Sequence, residues 1–495
     1  MSIAETAPAA LSHPDAFFIG GQWVRPSSDA TFEVDDSATE EIFLRVPEAQ
    51  SSDMSAAVTA ARAAFDEGPW PRMSHRKRAE YMRELANGIR RRSEDFAQFW
   101  TRESGILYTM SKFDGETQAK LFEYYADLAD TFPFEEPVAT SFGDGFGMIV
   151  REPVGVVGAI VPWNGAFGTI ALKIAPALIA GCTAVVKSSP EAPGEAYVLA
   201  EVADEIGLPP GVLNFLTADR EVSEQLVRDP RVDKIAFTGS NAAGQRIGSI
   251  CGERLARFSL ELGGKSAAVI LDDYDLETAA RALSGAECWI AGQVCSSVTR
   301  IIVSKPRHDQ FVEALTSVFS QVVVGDPFAE GTEMGPLASS RQRDRVEYFV
   351  AKGISEGATL TTGGGRPKHL DRGWYFEPTV FANVDNSSTI GREEIFGPVL
   401  SVIPAANEAD AVRIANDTRF GLNASVFTND VDRARDVSSR LLSGTVGHNG
   451  VRTDVATCFG GFKQSGIGRE GGTEGLHSYV EAKMLILDAP PSRYR

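Results

Sequence analysis

The chain has few cysteines, and their arrangement does not predict a disulfide framework or a zinc site. Its 495 residues contain five cysteines, none in a Cys-x-x-Cys pair: Cys182, Cys251, Cys288, Cys295 and Cys458. An odd, widely spaced set predicts reduced thiols, which are typical of the cytoplasm. We therefore expect a cytoplasmic protein without a bound metal.

Basic residues and long apolar runs are also scarce. The chain has 48 Lys and Arg against 67 Asp and Glu, and its net charge is −19. Nucleic acids and anionic membranes bind clustered positive charge, so we expect neither as a partner. The most apolar long stretch, 167–186, contains Lys173 and Pro176, which a membrane-spanning helix would disfavour. Residues 1–11 also lack the basic and apolar segments of a secretory signal.

The sequence does contain a regular alternation of short apolar runs and helical patterns. After a charged, helix-like region from 53 to about 130, such runs lie at 154–162, 183–187, 212–216 and 234–239. A second series begins near 266, continues at 300–304 and ends around 444–449. Strands alternating with helices predict βαβ units, and this length exceeds what one core usually serves. We predict an α/β fold with two parallel-sheet, Rossmann-like lobes.

Two strand ends in the first series offer contacts for a ligand. Parallel sheets bind ligands at the carboxyl ends of their strands, where Lys187 and the turn with Gly239 and Ser240 fall. Backbone N–H groups at that turn would attract a phosphate, with Ser240 as the helix N-cap. A solvated lysine and an ordinary strand-to-helix turn remain open alternatives.

Glu261 and Cys295 are the candidate base and nucleophile. Glu261 ends a short strand, and apolar neighbours would raise its pKa toward that of a general base. The alternative is an ion pair with Lys265 or an arginine. Glycine and serine surround Cys295, whereas we expect Cys182, Cys251 and Cys288 to be buried apolar residues. No histidine lies near Cys295 in sequence, so its base must come from elsewhere in the fold.

Seven segments in one consistent order resemble the aldehyde dehydrogenase superfamily. The resemblance covers nearly the whole chain, and its motifs are Pro162-Trp163-Asn164, Val186-Lys187, Phe237-Thr238-Gly239-Ser240, Glu261-Leu262-Gly263-Gly264-Lys265, Gly292-Gln293-Val294-Cys295, Glu394-Ile395-Phe396-Gly397-Pro398 and Phe459-Gly460-Gly461-Phe462-Lys463.

The resemblance implies that Cys295 adds to the carbon of an aldehyde. The Asn164 side-chain amide and the Cys295 backbone N–H would hold the oxyanion. Hydride transfer to a nicotinamide would leave a thioester, and Glu261 would activate the water that hydrolyses it. Lys173 and Glu470 match a proton-relay pair. The implied reaction is oxidation of an aldehyde to a carboxylic acid.

The resemblance also implies a nicotinamide cofactor, NAD or NADP. It assigns Lys187 to the adenosine ribose, Gly239 and Ser240 to the pyrophosphate, and Glu394 to the nicotinamide ribose. Further expected cofactor contacts are Trp163, Ser189, Glu191, Leu262 and Phe396. Many NAD-preferring members have a glutamate where this chain has Pro190, and the acid follows one residue later at Glu191. We favour NAD, because a carboxylate there would repel a 2′-phosphate.

A second departure from the family pattern concerns the substrate. Gly165 and Ala166 follow Asn164, where many members have a large aromatic residue, so we predict a wide tunnel. The expected substrate contacts are Gly165, Val294, Ser296 and Phe459. We expect a bulky or medium-chain hydrophobic aldehyde, aromatic or terpenoid.

The resemblance further implies three structural parts and a homodimer or homotetramer. These parts are a cofactor-binding domain (1–136 and 154–263), a catalytic domain (264–478) and a small β oligomerisation arm (137–153 and 479–495). Two alternatives for the function remain. One is a coenzyme A-acylating dehydrogenase, and the other is a non-catalytic structural or binding protein that retains the fold.

Overall fold

The computed structural model describes residues 10–141, 145–454 and 457–494. Four stretches lie outside the described residues: 1–9, 142–144, 455–456 and 495. They include most of the N-terminal stretch considered as a secretory signal and part of the expected oligomerisation arm. The strands are β1 Phe17–Ile19, β2 Gln22–Val24, β3 Thr31–Asp35, β4 Ile42–Pro47, β5 Glu135–Ala139, β6 Phe146–Pro153, β7 Val156–Ile160, β8 Thr183–Ser188, β9 Leu213–Thr217, β10 Lys234–Thr238, β11 Arg257–Glu261, β12 Ala267–Ile270, β13 Arg300–Ser304, β14 Thr359–Thr362, β15 Thr379–Ala382, β16 Val399–Ala405, β17 Asn423–Phe427, β18 Thr445–His448, β19 Gly466–Ile467 and β20 Val480–Leu487.

The helices fill the connections between these strands. They are α1 Ser51–Asp66, α2 His75–Arg91, α3 Ser93–Ser104, α4 Tyr108–Ser111, α5 Asp114–Thr131, α6 Ala166–Ala180, α7 Gly194–Glu205, α8 Arg220–Arg228, α9 Asn241–Glu253, α10 Leu276–Cys288, α11 Lys305–Phe319, α12 Ser340–Ser355, α13 Thr389–Arg392, α14 Glu408–Asn416, α15 Val431–Ser439 and α16 Gly472–His477. In the part of the chain that the structure describes, no helix is long and apolar enough to cross a membrane.

The first lobe is built on an eight-stranded sheet in the order β19-β11-β10-β7-β8-β9-β1-β2. Strands β7 to β11 run parallel, whereas β1, β2 and β19 add antiparallel edges. Every residue of β8 is buried, as expected for a central parallel strand covered on both faces. Helix α6 is also almost wholly buried, which explains why its sequence is apolar all round.

The second lobe contains a seven-stranded sheet in the order β14-β15-β16-β13-β12-β17-β18. All neighbours are parallel except β14 and β15. Each lobe has its own buried apolar clusters. The prediction of two parallel-sheet, Rossmann-like lobes is therefore confirmed.

A separate three-stranded antiparallel sheet is formed by β5, β6 and β20, which come from distant parts of the sequence. Strand β20 pairs with β6 over its full length, and β6 pairs with β5. Met484 and Ile486 on β20 are exposed. The segment after β18 also returns to the first lobe, where β19 pairs with β11. This return brings residues from the end of the chain beside the carboxyl end of β11.

Candidate active site

Cys295 lies on the loop that connects a short 3-10 segment, Trp289–Gly292, to β13. Its side chain is half-buried, whereas Cys182, Cys251 and Cys288 are fully buried, as expected for apolar cysteines. Ile290 and Ala291, just before it, both have a φ of 51°. Left-handed backbone at such residues costs about 1–3 kcal/mol each and persists only where the surroundings hold it. The loop is therefore held in place by other contacts.

Gln293 supplies most of these contacts from inside the protein. Its Nε2 donates to the carbonyl oxygens of Ser104 and Ile290, at 3.1 and 3.0 Å, and its Oε1 accepts from the Ala338 N–H at 2.9 Å. The side chain is fully buried. A buried amide with these bonds fixes the backbone two residues before Cys295.

On the other side of the nucleophile, two further residues restrict the loop. Asn423 Nδ2 donates to the Ser296 carbonyl oxygen at 3.0 Å. A Cβ atom at Gly264 would lie 2.3 Å from the Cys295 carbonyl oxygen, so only glycine fits there. Cys295 is thus held between contacts from both lobes.

Asn164 lies beside this loop, at the entrance to α6. Its side-chain Nδ2 donates to the Gln293 backbone carbonyl oxygen at 2.9 Å. Its backbone carbonyl oxygen accepts from the Trp100 indole N–H at 3.0 Å. An amide nitrogen carries two hydrogens, so the bond to Gln293 orients the group and leaves a second donor. That donor is suited to an oxyanion formed near Cys295.

Glu261 is buried at the end of β11, and neither of its carboxyl oxygens has a hydrogen-bond partner among the residues that the structure describes. Burial raises its pKa well above the usual value, and Glu470 raises it further, against the opposing charge of Lys173. The alternative of an ion pair with Lys265 or an arginine is therefore wrong. A buried, unpaired carboxyl of raised pKa has the properties of a general base.

Lys173 and Glu470 form a buried ion pair next to Glu261. Lys173 Nζ lies 2.5 Å from Glu470 Oε1 and 2.7 Å from Thr238 Oγ1. Glu470 is held by its backbone, which exchanges two hydrogen bonds of 2.7 Å with Phe459. The pair connects α6 to the segment that follows β19. It places two proton-carrying side chains next to Glu261.

The surroundings of Cys295 oppose its ionisation. Burial raises the pKa of its thiol to about 12, with further contributions from the carboxyls of Glu394 and Glu261, against backbone N–H groups at Ser296 and Cys295. The thiol is therefore protonated at neutral pH. Forming the thiolate requires a base or a positive charge beside the sulfur.

Lys187 and Glu191 lie at the carboxyl edge of the first sheet. Lys187 is buried, so the alternative of a solvated surface lysine is wrong. Burial lowers its pKa to about 8, although Glu191 and Asp219 oppose the shift. Glu191 accepts a short hydrogen bond from Ser189 and forms a 2.5 Å ion pair with Arg341 of the second lobe.

The turn between β10 and α9 has the geometry expected for a phosphate site. Ser240 is the N-cap of α9, and its hydroxyl accepts from the Ala243 N–H at 3.4 Å. Gly239 donates its N–H to the Glu261 carbonyl oxygen at 3.0 Å, and a Cβ there would lie 2.6 Å from the Phe237 ring. Leu262 is buried under α9. The open N-terminus of α9 therefore faces the sheet edge.

Residues of the second lobe approach the same edge from the other side. Glu394 Oε1 accepts from the Gly264 N–H at 3.0 Å, and burial raises its pKa to about 7. The rings of Trp163 and Phe396 meet edge to face, with centroids 5.4 Å apart. Phe396 has a φ of 65°, a left-handed backbone conformation that a non-glycine residue keeps only where the surrounding structure enforces it.

Apolar groups surround the approach to Cys295. Val294 packs on a cluster of Trp100, Ile106 and Ile290, and a Cβ at Gly165 would meet only Trp100, at 4.0 Å. Ser296, the residue after Cys295, and Phe459 are both buried. Gly165 therefore leaves open space next to the Trp100 ring, and the wide substrate tunnel stays a prediction.

Residues 23–485 match the model of the aldehyde dehydrogenase family. The chain belongs to this family. It is 43% identical over 471 residues to a geranial dehydrogenase of Castellaniella defragrans, covering 95% of this chain and 98% of that protein. It is 38% identical to a betaine aldehyde dehydrogenase of Amaranthus hypochondriacus, covering 95% of each chain. A crystal structure of Mycobacterium tuberculosis aldehyde dehydrogenase complexed with NAD+ superposes with a TM-score of 0.93 at 43% identity, covering 97% of this chain and 99% of that one.

Membership of the aldehyde dehydrogenase family confirms the predicted enzyme class and the oxidation of aldehydes with NAD(P). The motifs that carried the resemblance are also adjacent in space. Asn164, Glu261 and Cys295 come from three distant segments, yet the contacts described above join them around one thiol. The individual roles of these residues remain predictions.

Several residues of this aldehyde dehydrogenase site had no assigned role in the sequence. Trp100, Arg341 and Asn423 lie far from Cys295 and Lys187 in sequence, whereas Trp289 lies six residues before Cys295. None of the four belongs to a motif with chemical meaning. Gln293 stands within a motif, but an amide two residues from a cysteine predicts nothing by itself. Only contacts between the lobes identify these residues.

Proposed function

We propose that this enzyme oxidises a bulky hydrophobic aldehyde to its carboxylic acid through a thioester on Cys295. The observation that carries the proposal is the buried carboxyl of Glu261, which has no partner in the described part of the chain and lies close enough to raise the pKa of the Cys295 thiol. Burial keeps the proton affinity of this carboxyl high, although Lys173 and Arg469 oppose the shift of its pKa.

In the first step the Cys295 sulfur bonds to the aldehyde carbon, and its proton passes to a base. The second N–H of the Asn164 amide then donates to the developing oxyanion, a contact worth about 3–4 kcal/mol in a dry site. The same amide is oriented by its bond to Gln293. Collapse of the adduct leaves a thioester on Cys295, and the departing hydride would be taken up by the coenzyme.

Hydrolysis of the thioester requires an activated water. Glu261 accepts a proton from this water, whose oxygen bonds to the acyl carbon, and the Cys295 sulfur leaves. The proton then moves from Glu261 toward Glu470 and Lys173, which lie behind it as an ion pair. The acid is released and the thiol is restored.

The sheet edge has the groups that a nicotinamide dinucleotide needs. Lys187, Ser189 and Glu191 would hold the adenosine ribose, the α9 N-terminus at Gly239 and Ser240 the pyrophosphate, and Glu394 the nicotinamide ribose, with Trp163, Leu262 and Phe396 as apolar contacts. When bound, the oxidised nicotinamide would supply a hydride acceptor and a positive charge. Such a charge would oppose the two carboxyls that keep Cys295 protonated.

We propose NAD+ as the preferred coenzyme, with NADP+ as the alternative. Burial would raise the pKa of Glu191, but the Ser189 hydroxyl and the Arg341 guanidinium outweigh it and lower the pKa. Glu191 is therefore a carboxylate at neutral pH, and its charge disfavours a 2′-phosphate. The relative of known structure with 43% identity also binds NAD+.

The open space at Gly165 and the apolar surface of Val294 and Phe459 support a bulky hydrophobic substrate, with Ser296 as a further contact. The 43% identity to a geranial dehydrogenase supports the same class. An aldehyde with a quaternary ammonium group is the competing class, since a betaine aldehyde dehydrogenase is 38% identical.

We also propose the three-part division given above, with the β5-β6-β20 sheet as an oligomerisation arm of a homodimer or homotetramer in the cytoplasm. The exposed Met484 and Ile486 on β20 support an apolar contact for this sheet.

The test of the proposed function compares wild type with Cys295→Ala. Wild type should reduce NAD+ with a conjugated aromatic or terpenoid aldehyde and release the free acid, whereas Cys295→Ala should lose at least about 10³-fold in kcat. Cys458→Ser, at an exposed cysteine, is the matched control and should keep its activity.

Product analysis with and without coenzyme A separates the two enzymatic alternatives. Free acid in both reactions supports hydrolysis, whereas an acyl-coenzyme A product would overturn it. Highest kcat/KM for a two-carbon, quaternary ammonium or carboxylate-bearing aldehyde would overturn the hydrophobic substrate class. Absence of activity on every aldehyde would favour the non-catalytic alternative.

A further inference from the structure

Two tryptophans form an aromatic corner beside the nucleophile loop, and we use this term for Trp100 and Trp289. Trp100 comes from α3, and Trp289 begins the 3-10 segment before Cys295. Their rings meet edge to face, with centroids 6.3 Å apart and planes at 90°. Trp100 is 8% exposed and Trp289 38%. One ring of the aromatic corner is thus buried and the other faces solvent.

The aromatic corner is continuous with the apolar surface next to the thiol. Trp100 packs with Ile290 and with Val294, the residue immediately before Cys295. An added Cβ at Gly165 would meet nothing within 4 Å except Trp100 Cζ2, at 4.0 Å. The space that this glycine leaves open is therefore bounded by the buried indole ring.

Trp100 also contacts the residue expected to hold the oxyanion. Its indole N–H donates to the backbone carbonyl oxygen of Asn164 at 3.0 Å. A single side chain thus borders the space for the aldehyde tail and anchors the residue that faces the aldehyde oxygen. Buried indoles normally need such a partner, and here the partner is a residue of the proposed mechanism.

We propose that Trp100 is the residue that selects aldehydes with a flat, conjugated tail and that it also positions Asn164. The inference rests on the proposed function. A planar tail beside Gly165 meets the indole ring, and aromatic and conjugated groups gain more from such contacts than saturated chains of equal size. Trp289 extends the aromatic surface toward solvent.

The experiment measures kcat/KM for 3-phenylpropenal, its fully saturated counterpart 3-cyclohexylpropanal, and propanal. In Trp100→Leu, the preference for 3-phenylpropenal over 3-cyclohexylpropanal should fall about tenfold, because the aromatic face of the indole is lost. Trp100→Phe keeps a ring but loses the N–H, so the preference should survive while kcat falls about threefold or more for all three aldehydes alike.

The matched control is Trp23→Phe, which also removes an indole N–H bond, from Trp23 to Asp204 at 2.9 Å, but on edge strand β2. Its kinetics should equal wild type. Trp289→Ala changes the exposed ring, so it tests the aromatic corner even if Trp100→Leu does not fold; it should reduce the same preference.

An unchanged preference in Trp100→Leu or, if that variant is unfolded, in Trp289→Ala would overturn the selective role. A kcat for Trp100→Phe equal to that of Trp23→Phe would overturn the positioning role. Failure of the proposed function gives a different result, because wild type would then oxidise none of the three aldehydes.

Discussion

Glu261 and Glu394 approach the same thiol from opposite lobes, and their surroundings differ. Glu261 ends β11 and has no hydrogen-bond donor among the described residues, so burial raises its pKa well above the usual value. Glu394 accepts the Gly264 N–H at 3.0 Å, and its pKa rises only to about 7. Two carboxyls near one sulfur therefore differ in proton affinity, because one has a fixed donor and the other has the charge of Glu470 beside it.

The difference indicates two different tasks. A carboxyl without a donor binds a proton strongly, which suits proton transfer to and from water. A carboxyl with one oxygen fixed by backbone has a defined direction, which suits a hydrogen bond to a ligand hydroxyl. The comparison can be tested by changing each carboxyl separately.

The largest expected effect follows from Glu261→Gln. The amide cannot accept the proton of the hydrolytic water, so steady-state kcat should fall about 10³-fold. A rapid burst of about one reduced coenzyme per site should remain if only deacylation is blocked. Stopped-flow absorbance and mass spectrometry of the acylated Cys295 measure both. A normal steady-state rate would show that another group activates the water.

Glu394→Gln is the same substitution at the second carboxyl, and we expect it to have a smaller effect, on coenzyme binding. Loss of a charged acceptor should weaken NAD+ binding about tenfold. Since the pKa of Glu394 is about 7, wild-type affinity should rise as the pH increases from 6 to 8 and the carboxylate forms. Isothermal titration without aldehyde gives the Kd. Glu394→Gln should lack this rise in affinity, and an equal slope in both proteins would contradict the assignment.

The smallest effect concerns the chemical reactivity of Cys295 itself. Its pKa of about 12 predicts that iodoacetamide labelling without coenzyme rises through pH 7–10 without a plateau. Above pH 9, Glu394→Gln should speed labelling several-fold and Glu261→Gln less, because Glu394 raises the thiol pKa more. Peptide mass spectrometry separates Cys295 from the exposed Cys458. A plateau near pH 8 would contradict the carboxyl effect.

Much of the fold was predictable because parallel strands and their helices have strong local patterns. The apolar run before Lys187 became β8, and the helix after Ser240 began with that serine as its N-cap. Short edge strands were not predictable. Strand β19 has only two residues, and its pairing with β11 depends on a chain return that no local pattern encodes.

The sequence by itself determined which chemical groups are available. Motif order identified Cys295, Asn164 and Glu261 as candidates, and the glycine at 165 indicated open space. Burial of Lys187 and the partners of Glu261 stayed open, because a residue's solvation depends on what packs over it.

Only the tertiary structure decided how those groups behave. The same carboxylic acid side chain has different proton affinities at Glu261 and Glu394. Glu261 lacks a donor and lies beside the charge of Glu470, whereas Glu394 accepts the Gly264 N–H. Trp100, Gln293 and Asn423 acquired positions around Cys295 through contacts between distant segments. Desolvation and hydrogen bonding are properties of a place in the fold, so no linear motif specifies them.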